Sequence, residues 1–196
     1  MGAHMLQMGF LKLLHGASMR ENKEKYPCTF STEPPYEVRS TPWLSEEELL
    51  KLKKCEAALD RLYNSGRFRL TLTYLLEELE QEPFQFFYEL GNEAKWSGTS
   101  LSEVSLTVYE YFAPRCNGQK LKELLAADLL CSASASQIPK ELRITDPRHK
   151  KVANALSAGA HQKVLIMEQN RKILLVDPHS PRDLWGRFQH RFFELR

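Results

Sequence analysis

The sequence predicts a mainly α fold: an antiparallel helical bundle with a small C-terminal antiparallel β-hairpin or sheet (α+β). Three observations lead there. Between residues 45 and 131, apolar residues return at three- and four-residue steps in five successive runs, parted by short breaks. Near the C-terminus, two β-rich runs at 163–167 and 172–176 flank the polar stretch Glu168-Gln169-Asn170-Arg171, which suits a hairpin turn. The 196 residues are 42% hydrophobic and 27% charged, enough for one large domain or a domain with an appendage.

Taken in order, residues 1–5 read as an expression remnant and are set aside from the fold. Residues 6–16, LQMGFLKLLHG, read as a strand ending at a glycine turn. Pro27, Pro34, Pro35 and Pro42 then break any regular element, so residues up to 44 are expected to form an extended connector. Its aromatics Tyr26, Phe30, Tyr36 and Trp43 would pin it to a surface.

Ser45 and Glu48 form a capping-box pattern, and Glu46 to Glu48 suit the positive end of a helix dipole. Leu49, Leu52, Cys55, Leu59 and Leu62 give that first helix one apolar face, and Gly66 is placed to end it. A second helix is expected over 68–80, with Leu72, Leu75, Leu76 and Leu79 inward. Pro83 opens a third, carrying Phe84, Phe87, Leu90 and Ala94. Ser102 is the expected cap of a fourth, with Val104, Val108, Tyr111 and Phe112. A fifth spans about residues 119–131, with Leu121, Leu124, Leu125 and Leu129.

Residues 132–137 read as a small polar linker. Residues 140–156 suggest a short strand and then a helical turn, and residues 187–195 a third strand. The resulting domain organisation is 6–44 as a strand plus a proline-rich connector, 45–131 as bundle, and 132–196 as a basic linker and small β region packed on the bundle.

The chemistry of the chain is defined largely by what it lacks. It contains no glycine-rich phosphate loop, no nucleophile elbow and no two-histidine helix motif. None of its six histidines lies three or four residues from another. Cys28, Cys55, Cys116 and Cys131 have no short-loop metal spacing, and Cys55 and Cys131 fall on apolar helical faces as core residues. Phe84, Phe86, Phe87 and Tyr88 could stack on bases, but their periodicity favours core packing. No window approaches about 18 uncharged apolar residues, so no membrane span is expected, and the default compartment is the reducing cytoplasm.

Charge is uneven. Residues 140–196 carry 12 Lys and Arg against 6 Asp and Glu, and the remainder carries 15 against 19. A tail of about +6 can meet nucleic acid or an acidic partner, and the candidate contacts are Arg143, Arg148, Lys150, Lys151, Arg182, Arg187 and Arg191.

Met8-Gly9-Phe10-Leu11-Lys12, continuing through Leu14, Gly16 and Arg20, resembles the last barrel strand of bacterial radical SAM proteins with a cobalamin-binding domain. Pro34-Pro35-Tyr36-Glu37-Val38, Trp43-Leu44, Leu49, Leu52 and the run Tyr63-Asn64-Ser65-Gly66-Arg67-Phe68 resemble the region after the barrel in one branch of that group, a C-terminal domain of unknown function. The resemblance covers residues 6–80; beyond them it rests on order and length, with a loose fit at Leu174-Leu175-Val176-Asp177.

The resemblance implies a parent enzyme with a cobalamin domain and a barrel. In such enzymes a C-x-x-x-C-x-x-C loop holds a four-iron cluster that binds S-adenosylmethionine. That loop is absent here, so no catalytic, cofactor or metal residue carries over. His15 and Gly16 stand at the end of the barrel strand, where the family faces its cofactor. This sequence reads His15-Gly16-Ala17 there, in place of a glycine followed by threonine. The expected role is an accessory domain on the barrel of its own parent chain, helping to position substrate. An RNA-binding module is the alternative, and a stand-alone enzyme with a dispersed site is a third reading.

Overall fold

A computed structural model describes residues 3–22, 24–156 and 158–195. Along the chain these form α1 (Ser18–Glu21), β1 (Thr29–Phe30), β2 (Val38–Ser40), α2 (Glu46–Leu59), α3 (Arg69–Leu79), α4 (Pro83–Glu93), α5 (Leu101–Phe112), α6 (Gly118–Ser132), α7 (His149–Ala155), β3 (Lys163–Met167), β4 (Lys172–Asp177) and β5 (Gln189–Glu194). The architecture is the expected α+β: a helical bundle with two small antiparallel sheets, β1-β2 and β3-β4-β5.

The bundle starts from local signals. The Ser45 side chain accepts the Glu48 N–H, and Glu48 answers the Ser45 N–H at 2.8 Å, closing the capping box of α2. The helix widens into a π turn over Asp60–Asn64 and stops at Gly66, whose φ of +64° favours glycine. The Trp185 ring also sits where a Cβ at Gly66 would be. α4 packs closely on α2, since a Cβ at Gly91 would lie 2.4 Å from the Lys54 carbonyl oxygen. The Asn92 amide donates to the Lys51 carbonyl across the same contact.

Two expected details shift. α5 is capped by Ser100 with Glu103, and Ser102 lies inside the helix, donating to the Gln137 carbonyl at 2.6 Å. On α4, Phe86 and Phe87 point inward while Phe84 is exposed. The cause is a change of face near the proline start: Phe86 stacks on Phe112 of α5 with ring centroids 5.0 Å apart.

α6 runs through the centre, and its residues from Glu123 to Ser132 are all buried. β3 and β4 pair in register from Lys163↔Val176 to Met167↔Lys172. Their runs are continuously apolar because both faces are covered. Leu165, Met167, Leu174 and Val176 join the bundle core. Val164, Ile173 and Leu175 pack on the other side against Val152, Ala153 and Leu156 of α7, with Phe193 and Leu195.

Three stretches depart from expectation. Residues 6–16 form no strand, only an isolated bridge, Lys12↔Glu37. The connector is not wholly irregular, since it folds into α1 and the β1-β2 ribbon. Residues 140–156 contain no strand; Lys140–Leu142 is a short 3-10 turn, and α7 supplies the helical part. The third strand starts at Gln189, two residues later than expected. Residues 1–2 of the remnant lie outside the described residues.

Candidate functional site

Residues 6–14 lie along the bundle without merging into it. Asn64 in the π turn holds both backbone groups of Leu6, accepting its N–H at 2.9 Å and donating to its carbonyl at 2.7 Å. Farther along, the Leu13 N–H donates to Tyr36 and the Val38 N–H to Leu11. Between these ties, the N–H groups of residues 7–12 donate to none of the described residues. Leu6, Leu11 and Leu14 are 48%, 43% and 62% exposed. The segment is therefore a half-used strand edge with an apolar side, a form that pairs readily with another chain. Lys53 anchors the neighbouring ribbon through an ion pair with Glu37. At the end of the segment, His15 Nδ1 meets the Arg20 guanidinium at 2.7 Å, and the His15 ring stands edge-on to Tyr36.

The seven cations of the basic tail do not share one environment. Arg187 is interior at 3% exposure, with its guanidinium 3.4 Å from Asp128 of α6. It is thus a buried ion-pair partner and not a surface phosphate contact. Arg148 is exposed but held by Asp146 at 2.7 Å and by Glu168, so its charge is answered within the chain. Arg143 donates to the Ile138 carbonyl at 3.0 Å. Lys150 and Lys151 are exposed on α7. Arg182 and Arg191 line a cleft of about 560 Å³, together with Gln162, Leu175, Phe188 and His190.

Two buried carboxylates on α6 organise this end of the molecule. Asp128 accepts the Leu70 and Thr71 N–H groups at 3.3 and 2.9 Å, capping α3, which has no side-chain cap of its own. Burial pushes the Asp128 carboxyl up to about 6, against the pull of Arg187 and of the N–H groups of α3. Five residues earlier, Glu123 accepts the Gln169 and Asn170 N–H groups at 3.0 and 3.1 Å, holding the β3–β4 turn. The Phe188 N–H donates to the Cys131 carbonyl at 2.7 Å, fixing the start of β5 to the same helix. Sequence reading missed both acids. The available signal was two carboxylates inside a helix that is apolar all round, where a charge needs a partner.

The cysteines do not gather. Cys55 and Cys131 are core residues on α2 and α6, and Cys28 and Cys116 are half-buried elsewhere. Among the described residues no group of three or more His, Cys, Asp or Glu could hold a metal ion, so these residues do not fit a four-iron cluster. No helix among the described residues is long and apolar enough to cross a membrane.

No curated protein and no solved structure matches this chain. A family model described as "Protein of unknown function (DUF4080)" matches residues 24–174, from the connector through the bundle and into β4. On that match over most of its length, the chain belongs to the DUF4080 family of proteins of unknown function.

Proposed function

We propose that this domain is the C-terminal accessory unit of a cobalamin-dependent radical SAM enzyme, docking on the catalytic barrel and helping to position substrate. The observation that carries the reading is the half-used edge at residues 7–12, with Leu6, Leu11 and Leu14 exposed along it. A parallel barrel strand needs neighbours on both edges, and this segment has one bridge on one edge. The resemblance of residues 8–20 to the end of such a barrel, and of the residues from 34 to about 80 to the region that follows it, supports the same reading. The four-iron cluster, S-adenosylmethionine and cobalamin would belong to the parent enzyme.

Two measurements test it. Intact mass and peptide sequencing of the native protein should reveal a chain extending upstream of residue 6 with a C-x-x-x-C-x-x-C loop. Hydrogen exchange should then be fast at residues 7–12 in the present chain and strongly slowed in the parent protein. A native chain beginning near Leu6, or amides already protected in a monomer of this chain, would overturn the proposal.

A further inference from the structure

The cleft beside β5 lies on the outer face of the three-stranded sheet. Leu175 opposes Arg191 and Asp177 opposes Gln189 in the register of β4 and β5, so these residues share the face on which α7 packs. Residues 181–188 form a further wall. The cleft is open to solvent, and its volume of about 560 Å³ falls in the range of small-molecule sites.

Its donors are largely unspent. Among the described residues no carboxylate lies within 4.0 Å of the side-chain nitrogens of Arg182 or Arg191. Arg182 is positioned by the Phe188 ring, 4.5 Å beneath its guanidinium, and by one long bond of 3.4 Å to the Gly186 carbonyl. Gln162 turns its carbonyl to the Gly159 N–H, which leaves its amide N–H₂ to donate. Arg187, also in the lining, is buried and directs its guanidinium to Asp128 of α6, so it is not one of these free donors.

The acids of the lining keep their charge, but each turns one oxygen to backbone N–H groups of the loop. Asp183 accepts the Trp185 and Arg187 N–H groups at 2.9 and 2.8 Å, and Asp177 accepts the His179 N–H at 3.0 Å. Both carboxylates shape the loop. His190 shares its Nδ1 proton with the Phe188 carbonyl, so its Nε2 is the remaining ring nitrogen.

We propose that this cleft binds a small anionic molecule through a phosphate or carboxylate group, gripped by Arg182 and Arg191. Guanidinium forks match the paired oxygens of both anions. The proposal does not depend on the docking reading; either can fail alone.

The test is an amide NMR titration of the whole chain with inorganic phosphate and, separately, succinate, at constant ionic strength held with chloride. Saturable shifts confined to residues near 162 and 175–191 are expected with at least one anion, and the stronger one tells phosphate from carboxylate chemistry. Arg191→Gln, at an exposed position, should keep the thermal midpoint and weaken binding about tenfold or more. Arg182→Gln should do the same. Shifts that fail to saturate, that track ionic strength, or that survive both substitutions would overturn the proposal. So would tight, steeply salt-dependent binding of a single-stranded RNA that shifts Lys150 and Lys151 as well, which would assign these cations to nucleic acid.

Discussion

Arg187 reaches Asp128 in an interior that solvates neither ion well, and the Thr71 and Leu70 N–H groups complete the carboxylate's shell. Such a pair adds little net stability over apolar packing, yet breaking it from one side strands a charge. Asp128→Asn should therefore cost about 3–5 kcal/mol in urea unfolding, and adding Arg187→Met should recover most of that loss. The pair also sets a pH dependence. The Asp128 carboxyl is raised from 3.8 to about 6, so the folded state favours the protonated form. That contribution is fully present below pH 3.8 and is lost as pH rises through about 6. The stability of the native chain relative to the double variant should fall over that window, and a flat difference would refute the assignment. None of this pairing was legible in the sequence, because the partners of Asp128 lie 57 and 58 residues upstream and on a loop after β4. Burial of Cys55 and Cys131 was legible, since it follows from helical spacing alone.

At the scale of elements, the contact of α2 with α4 depends on backbone meeting backbone. A methyl group at Gly91 would overlap the Lys54 carbonyl, and neither helix can yield without moving as a whole. Gly91→Ala, though favourable to an isolated helix, should destabilise the chain by about 1–3 kcal/mol in chemical denaturation. The helices and the β3-β4 hairpin could be read from sequence because caps, periodicity and turn residues are local. α5 shows the limit of that reading: two serines stand near its start, and only Ser100 has a glutamate three residues on. Residues 6–16 failed for another reason. Their composition suits a strand, but a strand exists only where another chain segment answers its hydrogen bonds, and here Tyr36 and Val38 answer only the middle of the segment.

For the whole molecule, the C-terminal sheet is not an ornament on the bundle. Leu165, Met167, Leu174 and Val176 complete its core, while residues 169–170 and Arg187 satisfy the two acids of α6. A chain cut after Ile138 should keep helical far-ultraviolet dichroism, lose its near-ultraviolet signal and bind a hydrophobic dye, whereas a cooperatively folded truncation would show the bundle to be self-sufficient. The cleft and the accessory role were not legible as geometry, because they depend on how β5 and the connector lie against distant elements. The order of synthesis gives the α6 arrangement one more meaning. A ribosome delivers all six helices up to Ser132 before it delivers the residues that quench Glu123 and Asp128. The nascent bundle must wait, oily and doubly charged inside, until residues 169–170 and then Arg187 have been added. Through that interval the unfinished core is the surface most open to aggregation.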